Sequence, residues 1–217
     1  MIADISHQIK TPLTSLGVLA DLLAEDPPEA DRAAFVERLR AQLGRIQWLT
    51  AALLKLARLD GGTAAFKREL VDMRRLIDRA LEPLQIPLEI KGQQLVVEGP
   101  EGASFTGDLN WSAEALTNVV KNCVEHTPVG GRIEIRYGAN ALYAEILVAD
   151  NGPGIAPRDL PNIFNRFYRG QNAGENSVGI GLALAKAIFN AQGGDITVTS
   201  RPGEGTKFEI RIFRDVV

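Results

Sequence analysis

Tyr143-Ala144-Glu145-Ile146-Leu147-Val148-Ala149-Asp150-Asn151-Gly152-Pro153-Gly154 carries a short apolar run straight into a carboxylate and then into a turn. The run has the length and branched residues of a strand, and the glycines and proline end it. Asp-Asn-Gly in isolation is usually a turn and nothing more. Placed at the end of an apolar strand, Asp150 can also accept a hydrogen bond from an exocyclic amine. Gly152 and Gly154 would let a flat base come close to the backbone.

Working outward, further strand-like runs fall at 94–98, 132–137, 195–200 and 207–213, besides 143–149 itself. Helical spacing appears at 72–84, 110–126 and 180–192. Strands and helices do not alternate regularly, so the class is α+β, with an α/β sandwich over about 66–217 and no doubly wound sheet. Residues 157–178 are rich in Gly, Asn and Arg and have no sustained period; a loop this long is expected to be a lid.

Ahead of this region the period changes. Ile5, Ile9, Leu13, Leu16, Ala20 and Leu23 fall on one helical stripe, and Leu39, Leu43, Ile46, Leu49, Leu53 and Leu56 on another. Glu25-Asp26-Pro27-Pro28 separates them, and Asp31 is expected to cap the second helix. Residues 1–60 therefore read as an antiparallel helical hairpin, with 61–65 around Gly61-Gly62 as a linker. Two helices bury only one side of each stripe, so the hairpin is expected to dimerise into a four-helix bundle, with Trp48 at its margin.

Bulk properties set bounds. Of 217 residues, 45% are hydrophobic and 24% charged, as in a globular protein with a real core. The formal charge of -3 excludes the basic field that a nucleic-acid partner needs. A single cysteine, Cys123, excludes an internal disulfide framework and suits a reducing compartment. With no apolar run of membrane-spanning length and no signal peptide, the fragment is expected to be cytoplasmic. Its first helix is expected to continue upstream of Met1.

Three more segments suit phosphate chemistry. Asn118 and Asn122 lie one helical turn apart, and their amide oxygens are hard, neutral ligands suited to Mg²⁺. Gly179-Ile180-Gly181-Leu182 opens a helix whose free N–H groups and dipole form an anion site. Gly203-Glu204-Gly205-Thr206 joins the last two strands and can wall the same pocket.

In this order and on these elements, the segments resemble the N, G1, F, G2 and G3 boxes of the GHKL ATPase fold shared by histidine kinases, gyrases and some chaperones. The F box is Phe164-Asn165-Arg166-Phe167-Tyr168-Arg169, and the resemblance covers about 66–213. It implies ATP and Mg²⁺ as cofactors. By that resemblance Asn122 holds Mg²⁺, Asp150 reads adenine and Arg169 reaches the phosphates from the lid. Asn118, Lys121, Gly152, Gly154, Gly179, Gly181, Leu182 and Thr206 surround the nucleotide. Phe164, Phe167 and Tyr168 anchor the lid by packing, and His126 packs at the pocket. One position departs from the pattern: Glu125 stands where a Lys or Arg is usual and is expected to face solvent, with Lys121 one turn earlier as an alternative cation.

Ser6-His7-Gln8-Ile9-Lys10-Thr11-Pro12-Leu13 resembles the H box of histidine kinases. At roughly 100° per residue, His7 lies about 200° from both Ile5 and Ile9, so it should face water. An exposed neutral imidazole is a competent nucleophile. Pro12 cannot donate to the Gln8 carbonyl, which loosens the helix just past the histidine. The resemblance implies a protein-histidine kinase that autophosphorylates His7 and passes the phosphoryl group to an aspartate of a response regulator receiver domain. Its parent protein would sit at the cell membrane. Thr11 matches the position that serves in dephosphorylating the partner. Gln8 replaces the usual carboxylate beside the histidine and is no useful base. Gln8 and Glu125 together favour, as an alternative, a degenerate kinase that binds ATP, dimerises and mainly sequesters or dephosphorylates its partner; an ATP-driven conformational clamp is the other alternative, against which the H box stands.

Overall fold

The computed structural model describes residues 2–170 and 178–214. The chain divides into two compact units, Met1–Ala57 and Arg58–Val217.

The first unit contains α1 (Ile2–Ala24) and all but the end of α2 (Glu29–Asp60). Between them Asp26 takes a left-handed φ of 53°, and its carboxylate pairs with Arg32. The Arg32 N–H donates to the Pro28 carbonyl at 2.9 Å, so α2 starts at Glu29. Asp31 thus does not cap the helix: the prolines start it earlier, and Asp31 joins Glu29 in its first turn, where the dipole favours negative charge. α1 runs through Pro12 without a break.

The buried side of the hairpin also differs from the expected stripes. Pro12 and Leu19 on α1, with Leu49, Ala52 and Leu56 on α2, are buried, whereas Leu13 and Leu43 are 53% and 50% exposed. Each helix carries more apolar surface than one neighbour can cover. Spacing along the chain does not say which flank is left over.

The second unit is a helix-on-sheet sandwich. Its elements are β1 (Glu69–Asp72), α3 (Met73–Leu81), a 3-10 turn (Glu82–Leu84), α4 (Gln85–Ile90), β2 (Gln94–Glu98), β3 (Ser104–Gly107), α5 (Leu109–His126), β4 (Arg132–Ala139), β5 (Tyr143–Asp150), α6 (Gly181–Ala191), β6 (Gly194–Arg201) and β7 (Gly205–Phe213). The sheet order is β2-β4-β5-β7-β6, with β2 and β4 parallel and the other neighbours antiparallel. β1 and β3 pair separately. β1, β3 and α4 are too short to set up a period of their own and leave no signal in the sequence.

Alternation along the strands decides which face is covered. Ile133, Ile135, Ile146, Val148, Phe208, Ile210 and Ile196 point to the buried face and are at most 1% exposed. Burying one such side chain is worth about 1.5–3 kcal/mol. On the open face Arg211 donates to Glu145 at 2.9 Å, pairs with Glu209 and lies over the Tyr143 ring.

α5 is held at both ends. Asp108 caps its start by accepting from the Asn110 and Trp111 N–H groups at 2.9 and 3.1 Å, and from Lys67 N–H at 2.9 Å. At its other end, Lys91 Nζ donates to the carbonyls of Val124, Glu125 and Thr127 at 2.8, 2.8 and 3.2 Å. Gln93 Nε2 adds bonds to Val124 and Thr127 at 3.1 and 2.8 Å. A cation and an amide thus cover carbonyls that the helix leaves unpaired. Among the described residues, no helix is long and apolar enough to cross a membrane.

Candidate functional site

The register of the sheet brings three polar side chains into one line. Asp150 pairs with Thr206 across β5 and β7, and Thr206 pairs with Ser200 across β7 and β6. They share the helix-facing side with Ile133, which lies opposite Asp150 on β4. Asp150 Oδ1 accepts from the Gly152 N–H at 2.8 Å. Burial pushes the Asp150 carboxyl above its ordinary range; the Gly152 N–H, the Cys123 thiol, the Thr206 N–H and His126 oppose the shift. The neighbouring Cys123 thiol is pushed well up, first by burial and then by the Asp150 charge.

The loop after Asp150 is packed against the turn between β6 and β7. Gly154 has φ 72°, and a Cβ there would sit 2.1 Å from the Arg201 carbonyl oxygen. Gly205 has φ 95°, and a Cβ there would lie 2.0 Å from the Asp150 carbonyl oxygen. No residue with a side chain fits either place. The Gly203 N–H donates to the Pro153 carbonyl at 2.8 Å, closing the two turns together. Ser200 joins them from inside. Its Oγ accepts from Ile155 N–H at 2.8 Å, donates to the Gly205 carbonyl at 2.7 Å and lies 3.1 Å from Thr206 Oγ1. A serine in an alternating strand gives no local signal of such a role.

α5 and α6 meet at Asn118 and Gly181. Asn118 Nδ2 donates to the Glu114 carbonyl at 3.0 Å, and its Oδ1 lies 3.1 Å from where a Gly181 Cβ would be. Asn122 follows one turn on and is half-buried. Leu182, half-buried, is in the first turn of α6. Lys121 and Glu125 are about half exposed and pair at 3.7 Å, so the acidic residue lies on the helix surface beside a cation.

The aromatic segment before α6 is pinned to its entrance. The Phe167 N–H donates to the Gly179 carbonyl at 2.7 Å, and Phe167 has φ 65°, uncommon for a bulky residue. The Phe164 ring meets Phe208 edge-on at 6.5 Å and carries Lys186 over its face at 4.9 Å. Tyr168 donates its hydroxyl to Asp159 at 2.8 Å. Arg166 donates to Asp60 at 2.6 Å, both within the second unit. Arg169 is exposed. Of the expected lid at 157–178, residues 171–177 lie outside the described residues.

In the first unit His7 is exposed and Gln8 half-buried. The Thr11 hydroxyl donates to the His7 carbonyl at 3.1 Å. His7, Lys10, Thr11, Leu22, Arg38 and Gln42 line part of one open groove of about 790 Å³. Among the described residues of the chain, no three His, Cys, Asp or Glu side chains cluster to hold a metal ion. A divalent cation here would depend on amide oxygens and on its substrate's own phosphates, a donor set that suits Mg²⁺.

Residues 107–215 match the family described as histidine kinase-, DNA gyrase B- and HSP90-like ATPases. Residues 1–62 match the His Kinase A phospho-acceptor domain. The sensor-like histidine kinase SenX3 of Mycobacterium tuberculosis is 30% identical over 215 residues, covering 97% of this chain and 52% of its own length. The chain thus spans about half of that relative. The histidine kinase AdeS of Acinetobacter baumannii shares the fold, with a TM-score of 0.79, 20% identity and 97% and 98% of the two chains covered. So does the histidine kinase ThkA, solved in complex with the response regulator protein TrrA, with a TM-score of 0.77, 18% identity and 98% and 60% covered.

Proposed function

From the membership of this chain in the histidine kinase-, DNA gyrase B- and HSP90-like ATPase family, joined to a phospho-acceptor hairpin as in sensor histidine kinases of two-component signalling, we propose that it moves the γ-phosphate of ATP onto His7. The observation that carries this reading is an exposed imidazole on α1, in a chain that also holds Asp150 and Thr206 side by side on the helix-facing side of a sheet.

Asp150 is the adenine reader, a carboxylate aimed among helices where the exocyclic amine can donate to it. The first N–H groups of α6, from Gly181 and Leu182, receive phosphate oxygens. Lys121, beside Glu125 on α5, and Arg169 bring positive charge toward the phosphates. Asn122, with Asn118 nearby, would hold Mg²⁺, which neutralises phosphate charge during transfer. At His7 one ring nitrogen forms a bond to phosphorus as the bond from phosphorus to the ADP oxygen breaks. Gln8 can orient the ring through its amide oxygen but removes no proton.

The phosphoryl group then passes to an aspartate on a response regulator, the kind of partner held by ThkA in its solved complex. Thr11 stands one turn from His7 beside the same groove and serves the reverse reaction, hydrolysis of the partner's phosphate. The hairpin dimerises through the apolar side chains it leaves exposed. The parent protein is membrane-anchored, with this part in the cytoplasm.

Incubation with labelled ATP and Mg²⁺ should give acid-labile, alkali-stable label on the chain, absent from His7→Gln. Label that persists in that variant would falsify the assignment. Gln8→Glu should raise the rate of labelling, since it restores a base beside the ring; an unchanged rate would show that the glutamine is no handicap.

A further inference from the structure

We infer that Ser200 is a positioning residue that sets base specificity in the Asp150 pocket, by turning the Thr206 hydroxyl proton away from it. The inference rests on the reading of Asp150 as the base-recognising group.

A serine hydroxyl has one proton and two lone pairs. The Gly205 carbonyl can only accept, so at 2.7 Å it takes the Ser200 proton. The Ile155 N–H can only donate, so at 2.8 Å it takes one lone pair. What remains for Thr206, at 3.1 Å, is the second lone pair. Thr206 is therefore the donor in that contact, and its single proton is committed to Ser200.

The consequence falls on the neighbouring residue. Thr206 and Asp150 are directly paired across β5 and β7, so their side chains stand on the same face about 5 Å apart at Cβ. With its proton held by Ser200, Thr206 can only accept from any other group, and the Asp150 carboxylate can only accept as well. Two adjacent acceptors attract an amino group and repel a carbonyl oxygen in the same place. The pocket edge is thereby matched to a 6-aminopurine and set against a 6-oxopurine. Without Ser200, the Thr206 proton is free to turn toward Asp150, blunting the carboxylate, or to greet an oxo group as a donor. Ser200 acts on the base only through Thr206.

The test compares ATP with inosine triphosphate, which carries an oxygen in place of the amine, by calorimetry on the 217-residue chain. Ser200→Ala should weaken ATP binding while leaving inosine triphosphate unchanged or tighter, lowering the preference for ATP by about tenfold, the value of one ordinary hydrogen bond. Ser200→Thr, which keeps a hydroxyl, should restore the preference. Equal weakening of both nucleotides, or no change in either, overturns the inference. If Ser200→Ala loses its fold by circular dichroism, Thr206→Val carries the test: the preference should fall, and an unchanged ratio overturns the proposal. Wild-type protein that binds no ATP, or Asp150→Asn with full affinity, defeats instead the reading of the pocket beneath it.

Discussion

The two units treat their apolar side chains differently. In the sandwich, Ile133, Ile135, Val148, Phe208 and Ile210 vanish between a five-stranded sheet and its helices. In the hairpin, Leu19, Leu49, Ala52 and Leu56 are buried, but Leu13, Val18, Leu22, Leu43, Trp48 and Leu54 remain between 37% and 59% exposed. A sheet face covered by helices is a closed core, whereas two helices cover only one flank of each other. The sandwich is therefore expected to fold by itself, and the hairpin to gain from a second copy.

The contrast can be tested from the nucleotide side first. Asp150→Asn should reduce ATP affinity by up to about a hundredfold, since a hydrogen bond to a charged acceptor contributes about 1.5–3 kcal/mol and the amide keeps only a neutral oxygen. Its melting temperature should not fall. Because the folded carboxyl titrates above its unfolded value, its contribution to stability is present in acid and lost as pH rises through the folded pKa. At neutral pH the buried charge is thus a cost that the amide removes. By the same sign, wild-type ATP affinity should decline on acidification beginning above the ordinary carboxylate range; a flat profile in calorimetry would discount Asp150 as the reader.

A smaller effect is expected on the hairpin side. Val18→Glu with Leu43→Glu should cost the dimer about 2 kcal/mol, roughly thirtyfold in its dissociation constant, by charging surface that a partner would bury. Sedimentation equilibrium measures it, and ATP affinity should hold. A variant that stays as dimeric as wild type would show that these side chains face solvent in the assembly.

Lys91→Met keeps the apolar stem and removes the cation over the end of α5. It should destabilise the sandwich by about 1–2 kcal/mol in urea unfolding, with no loss of hairpin helicity. Asp60→Asn breaks the half-exposed pair with Arg166, and should cost less than about 1 kcal/mol. Hydrogen bonding from Arg166 holds the Asp60 carboxyl below its ordinary value. Its small contribution is therefore present at neutral pH and lost in acid, and the mutant's stability should converge on wild type there.

What could be read in the chain beforehand was what depends on neighbours in sequence. The five sheet strands and the long helices carry their own periods, and several end beside glycines or prolines; the angle His7 makes with Ile5 and Ile9 places it toward water. Tertiary structure decided what depends on distant partners. β1 and β3 exist because each completes the other. Pro12 and Leu19 are inside and Leu13 outside because a second helix covers one flank and leaves the other. Ser200 became part of the site through a register that sets it beside Thr206, and Thr206 beside Asp150. A side chain's direction along a strand is local, but its neighbours across the sheet are set only when strands remote in sequence pair.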